Sequence, residues 1–113
     1  MGMENLGGNQ PLEITPEKVI EALLANREDI EPLAQFIDQL QAKVDREEIG
    51  LLELSKQIAD LYLGLVQKDL YWVEHTNWAL DDLAQIANQK GDQEMLDFVE
   101  TQKLQVATKQ RPN

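Results

Sequence analysis

The chain has 113 residues, 42% of them hydrophobic, and its 21 acidic and 10 basic residues give a net charge of −11. This composition predicts one folded domain, and the lack of cysteine excludes disulfide frameworks and thiolate metal sites. Because an acidic body repels phosphate groups, nucleic-acid and membrane-surface partners are disfavoured. With no visible secretory signal and no apolar run near the roughly 20 residues of a membrane span, we expect a cytoplasmic protein.

The N-terminal third predicts an arm followed by two short helices. Residues 1–14 are rich in Gly, Asn and Gln, so we predict a flexible N-terminal arm. Thr15 and Pro16 then indicate a helix start, since Thr caps free N–H groups and Pro needs no donor at the first helical position. Apolar residues at helical spacing predict helices over about 16–26 and 30–44, separated by a turn at 26–29.

Residues 45–90 contain no proline, and their apolar residues recur at helical spacing almost throughout. Asp45 and Glu48 stand at the spacing of a capping box and predict a helix start there. The apolar residues fall regularly on one helix face up to Leu65. Beyond Asp69 they fall on a different face of the predicted helix. We favour one long helix over 46–89, straight or kinked. The alternative is a break near 64–69, with a new helix capped by Asp69.

The C-terminal part predicts a stop, one more helix and a tail. Lys90, Gly91 and Asp92 indicate a helix end followed by the cap of the next helix. Apolar spacing places the last helix at about 93–103, and we predict a disordered tail over 106–113. The predicted fold is all-α: an antiparallel bundle of four to five helices within residues 15–105, organised on the long helix.

The sequence offers few groups for catalysis. His75 is the single histidine and cysteine is absent, so thiol–imidazole catalysis is excluded. No hydroxyl residue stands in a nucleophile-elbow motif, and Gly7-Gly8 is not followed by the Lys-Ser/Thr of a phosphate loop. Dinuclear carboxylate sites use Glu-x-x-His pairs, whereas Trp72 stands three residues before His75. We therefore predict a protein that is not an enzyme and has no cofactor and no metal site.

One segment resembles a known family. Residues 77–104 are similar to the junction between the third and fourth helices of animal ferritins, through Leu80, Leu83, Ala87, Asp92 and the run 97–101. The resemblance covers about a quarter of the chain. The first two ferritin helices, which carry most iron ligands, have no counterpart, and the ferritin third-helix glutamate would fall at Val73. No ligand can therefore be carried over by the resemblance.

The best candidate site is a stripe along the predicted helix. Tyr71, His75, Trp78 and Asp82 stand at i, i+4, i+7 and i+11, and so share one face. This aromatic stripe lies away from the predicted core face, and outward Tyr and Trp are typical of interface hot spots. Three interpretations remain open: the stripe packs against a neighbouring helix of the same domain, against a second copy of the chain, or against a different partner.

We therefore predict a non-enzymatic protein–protein interaction module, of an adaptor, accessory or regulatory kind. Its partner would be another protein, or a second copy of the chain in a homodimer, bound through the aromatic stripe. One alternative is an acidic decoy that occupies the nucleic-acid-binding groove of another protein. The other is a carboxylate and histidine metal-binding bundle that uses Glu47, Glu48, Glu74, His75, Asp81 and Asp82.

Overall fold

The computed structural model describes residues 14–110, and the side chains of residues 14–108. The described chain forms five α-helices and one short 3-10 helix, Leu70–Trp72, which lies between the third and fourth α-helices. The α-helices are α1 (Pro16–Ala25), α2 (Glu31–Asp45), α3 (Leu51–Lys68), α4 (Val73–Lys90) and α5 (Gln93–Gln110). The prediction of an all-α helical bundle is confirmed. The predicted arm up to residue 13 and the last three residues lie outside the described part.

Helix α3 lies at the centre and packs against the other four α-helices. Helices α1 and α2 also contact each other, as do α4 and α5. Helix α3 therefore belongs to two groups of three helices, one with α1 and α2 and the other with α4 and α5. A surface helix buries one stripe, whereas a helix with neighbours on several sides buries more of its circumference. The buried residues of α3 show this: Leu54, Ser55, Ile58, Ala59, Leu61, Tyr62, Leu65 and Val66.

Helix α1 begins as predicted, because the Thr15 hydroxyl accepts a hydrogen bond from the Lys18 N–H at 3.4 Å. Ile14, assigned to the arm, is instead held by the Gln39 side chain, which bonds its N–H at 3.0 Å and its carbonyl at 3.1 Å. Helix α1 then passes close to α3 at Gly64, where a β-carbon would lie 2.9 Å from Ile20 Cδ1. Gly64 thus leaves room for the end of the Ile20 side chain.

The prediction of a single helix over 46–89 is wrong. The first break lies near the predicted beginning of that helix. Helix α2 continues through Asp45, and α3 starts only at Leu51. Between them Glu47 adopts a left-handed backbone with φ of 63°. The N–H groups of Glu47 and Glu48 donate to the carbonyls of Val44 at 2.9 Å and Lys43 at 2.8 Å. These bonds satisfy the last carbonyls of a helix, so Asp45 ends one helix instead of capping the next.

A second break lies at Asp69, where the alternative prediction placed it. Helix α3 ends at Lys68, and the Asp69 carboxylate accepts a hydrogen bond from the Tyr71 N–H at 3.0 Å. Asp69 itself is extended, with φ of −156°, a conformation open to any residue, so the break needs no Gly or Pro. The chain then reverses through the 3-10 helix, and Trp72 becomes fully buried. Burial of this large side chain stabilises the reversal.

The predicted stop at Lys90–Asp92 is confirmed. Gly91 is left-handed with φ of 67°, and the Asp92 carboxylate accepts a hydrogen bond from the Met95 N–H at 3.0 Å. The expected end of the last helix near residue 103 is wrong, because α5 continues to Gln110. Residues 106–110 of the predicted tail are therefore helical, and Val106 is fully buried. No helix in residues 14–110 is long and apolar enough to cross a membrane.

The two left-handed residues predict opposite effects of substitution. Replacing Glu47 by Gly is expected to raise the free energy of unfolding by about 0.5–1 kcal/mol, since Gly adopts positive φ without steric cost. Replacing Gly91 by Ala is expected to lower it by about 1 kcal/mol, although a β-carbon there meets no atom within 4 Å. Urea denaturation measures both changes. Glu47→Ala is the control: it removes the carboxylate but keeps the β-carbon, and an equal gain would refute the backbone explanation.

Candidate functional site

A groove of about 300 Å³ opens between α2 and α4, with α3 as its floor. It exists because α2 and α4 both pack on α3 without packing closely against each other. We call it the α2–α4 groove, and most of its lining is apolar. Its lining residues are Ile37, Gln41, Leu54, Ile58, Tyr62, His75, Trp78, Ala79, Asp82, Leu83 and Ile86.

The structure places three of the four stripe residues in this groove: His75, Trp78 and Asp82. Tyr71 belongs to the 3-10 helix and packs against His75, with 5.2 Å between the ring centroids. Trp78 is 55% exposed and Tyr71 is 42% exposed. Within the described chain, therefore, no neighbouring helix covers the two rings fully.

The His75 ring lies among three aromatic rings. Its centroid is 5.2 Å from that of Tyr71, 5.0 Å from that of Trp72 and 5.2 Å from that of Trp78. Trp72 was not predicted as a member of this cluster. The signal was its position three residues before His75, because residues at i and i+3 are neighbours on a helix. The cluster joins the buried core to the exposed Trp78 ring.

Two buried nitrogens in this cluster have no hydrogen-bond partner within residues 14–110: Trp72 Nε1 and His75 Nδ1. An unsatisfied buried polar group costs about 1–3 kcal/mol. Because Nδ1 is the buried nitrogen of His75 and the ring lines the groove, Nε2 is the nitrogen that it can offer to an occupant of the groove. His75 is thus packed by three rings and still presents one polar atom.

The acidic group of the groove is Asp82. No described residue forms a hydrogen bond or an ion pair with its carboxylate, and no Lys or Arg belongs to the described lining. Burial, and then the charge of Asp82, raise the pKa of the Tyr62 phenol above its ordinary value. At the α2 wall, the Gln41 amide donates to the Asp45 carboxylate at 3.5 Å. The groove therefore has an apolar floor and, within its described lining, one carboxylate, that of Asp82.

Two cations of the same chain contact residues near the groove, Tyr71 and Asp81, and neither contacts Trp78 or Asp82. The Arg27 guanidinium carbon lies 4.2 Å from the centroid of the Tyr71 ring. Lys103 Nζ lies 2.8 Å from an oxygen of Asp81. Trp78 has no such cation among the described side chains. The aromatic stripe therefore carries a cation at its Tyr71 end and an uncompensated carboxylate at Asp82.

The residues of the metal-binding alternative do not converge on one centre. In residues 14–110, no group of three or more His, Cys, Asp and Glu side chains is placed to hold a metal ion. Glu47 and Glu48 lie in the turn after α2, whereas the other four lie on α4. Glu48 already accepts a hydrogen bond from Arg46 Nε at 2.7 Å, and this bond lowers the pKa of the Glu48 carboxyl.

Comparison with known proteins gives no further information on the α2–α4 groove. Comparisons with protein families, with curated proteins and with solved structures find no match. They therefore do not extend the local resemblance of residues 77–104 to ferritins, and function has to be inferred from the side chains of the α2–α4 groove.

Proposed function

We propose that this protein is a non-enzymatic interaction module that docks a segment of another protein in the α2–α4 groove. The observation that carries the proposal is Trp78, which is 55% exposed at the edge of an apolar groove. Exposed indole surface is costly in water, and tryptophan is among the residues most enriched at interface hot spots. Covering Trp78 with a partner would remove that cost.

The shape of the groove supports a helical occupant. Along α4 it extends from His75 to Ile86, which is about 16 Å, or three turns, at the rise of an α-helix. Helix-in-groove recognition inserts apolar residues at i, i+3 or i+4, and i+7 into such a space. Because its walls are helices anchored on α3, little ordering is needed on binding, which favours affinity.

A second copy of the chain is the competing occupant. Its support is the exposed face of α4, which two copies could share around a two-fold axis. Each copy, however, carries a net charge of −11, and such an interface would place Asp82 near its counterpart. Like charges brought together in this way oppose association, so we favour a different protein as the partner.

Photo-crosslinking from the groove tests the proposal. We would place benzoylphenylalanine at Gln41, which lines the groove on α2 and leaves Trp78 intact. Irradiation in the cell is expected to give a covalent adduct, and Trp78→Ala in the same chain is expected to abolish it. The matched control is Leu104→Ala on α5, which removes a 70% exposed apolar side chain outside the groove.

Three outcomes of this experiment are informative. An adduct lost with Trp78→Ala and kept with Leu104→Ala supports docking in the groove. No adduct, or one that both variants weaken equally, contradicts it. An adduct of twice the mass of the chain identifies the partner as a second copy.

A further inference from the structure

We propose that the segment docked in the α2–α4 groove is a basic amphipathic helix, with a Lys or Arg side chain between the Trp78 indole and the Asp82 carboxylate. The inference rests on the proposed function, because it names the chemistry of the partner at that same groove. It combines an apolar surface with a charge that the described chain leaves unpaired.

The apolar half of the inference follows from the floor of the groove. Leu54 and Ile58 from α3 line the groove together with Leu83 and Ile86 from α4, and the described lining contains no Lys or Arg. Apolar side chains of a docked helix would be removed from water at this floor, which favours binding by about 25 cal/mol for each Å² buried. The occupant therefore needs one apolar face.

The requirement for a basic residue follows from the desolvation of Asp82. A segment that covers the groove takes water away from this carboxylate, which has no ion-pair partner among the side chains of residues 14–108. Burying an unpaired carboxylate costs several kcal/mol, whereas a close cation offsets much of that cost. An occupant without a cation at this point would leave the carboxylate unpaired. Binding therefore selects a partner with Lys or Arg at the edge of its apolar face.

Trp78 provides the second contact for the cation. It stands four residues before Asp82, so the indole and the carboxylate are neighbours on the surface of α4. A cation near both gains attraction from the aromatic face and from the carboxylate. The same chain uses each contact separately, with Arg27 over Tyr71 at 4.2 Å and Lys103 on Asp81 at 2.8 Å. Trp78 and Asp82 remain for a cation from outside.

The charge of the whole chain acts in the same direction. A net charge of −11 attracts a basic segment and repels a second copy. Complementary charge of this kind accelerates association and rejects acidic partners. A basic amphipathic helix is thus favoured over a neutral helix and over this chain itself.

Two synthetic peptides of 18 residues test the inference with the full-length protein. Both carry the same leucines at helical spacing, and their remaining positions are all Lys in one peptide and all Gln in the other. Calorimetric titration gives the dissociation constants, and NMR shift changes show whether each peptide contacts the groove. We expect Asp82→Asn to weaken the Lys peptide about tenfold. The same variant is expected to bind the Gln peptide more tightly, because Asn leaves no unpaired charge when the groove is covered.

Asp81→Asn is the matched control, because Asp81 has the same charge on the same helix but is paired with Lys103. It removes one negative charge from the chain, so a general attraction between opposite charges would respond to it as to Asp82→Asn. We expect its effect to be less than about twofold. Equal losses from the two variants would overturn the specific role of Asp82.

The remaining outcomes separate the inference from the proposed function. If the Gln peptide contacts the groove as tightly as the Lys peptide and Asp82→Asn changes neither, docking stands and the basic partner is wrong. If neither peptide shifts groove residues, the proposed function fails as well. If light scattering shows a dimer that Trp78→Ala dissociates, the occupant is a second copy and the inference is overturned.

Discussion

Replacing Trp72 by alanine is expected to lower the free energy of unfolding by about 3–5 kcal/mol. Trp72 is the largest fully buried side chain of the described chain, and it packs against Tyr71 and His75 with ring centroids 5.1 Å and 5.0 Å away. It also lies at the reversal between α3 and α4. Its removal leaves a cavity at the connection between α3 and α4, which the surroundings fill only in part.

Trp78→Ala is the control for this prediction, since it deletes the same side chain at a site that is 55% exposed. Because much of the indole is already in water, we expect a loss below about 1 kcal/mol. Urea denaturation followed by circular dichroism measures both variants. Similar losses for Trp72→Ala and Trp78→Ala would mean that the assignment of one tryptophan to the core and the other to the surface is wrong.

Replacing Val106 by aspartate is expected to lower the free energy of unfolding by about 2–3 kcal/mol. Val106 is fully buried on α5, so the substitution removes its apolar contacts and introduces a carboxylate without a partner. The loss is limited because the last turns of α5 can detach and return the charge to water. Detachment exposes residue 106 to water, so the loss of the apolar contacts of Val106 determines how far the free energy of unfolding falls.

Leu104→Asp is the matched control, because Leu104 is 70% exposed two residues earlier on the same helix. We expect a change within about 0.5 kcal/mol, as for most surface substitutions. Urea denaturation gives the stabilities, and hydrogen exchange of the amides around residue 106 reports detachment. If Val106→Asp is as mild as Leu104→Asp, the end of α5 does not pack on the bundle.

Local signals predicted the ends of helices where the responsible residues act on their own neighbours. Thr15 and Pro16 started α1, and Gly91 with Asp92 ended α4 and started α5 as expected. The helix boundary at Glu47 was not predicted, because a left-handed glutamate is uncommon and has no sequence signal of its own. The prediction also failed after residue 103, where weak apolar spacing did not indicate that Val106 is buried.

The candidate site was predicted in part. Helical spacing grouped His75, Trp78 and Asp82 on one face, and the structure places all three in the α2–α4 groove. Spacing within one helix could not supply the α2 wall, with Ile37 and Gln41, because that wall depends on how two distant segments pack on α3. The cation contact of Arg27 with Tyr71 depends on the same long-range arrangement.

By itself the sequence determined the acidic all-α character of this protein, the caps at Thr15, Gly91 and Asp92, and the composition of the aromatic stripe. These properties follow from residue chemistry and from spacing along one helix, which need no knowledge of distant segments. Only the tertiary structure decided that the stretch after residue 45 is two helices and that α3 is the centre. It also decided that the stripe borders a groove, because burial and cavities depend on which helices meet in space.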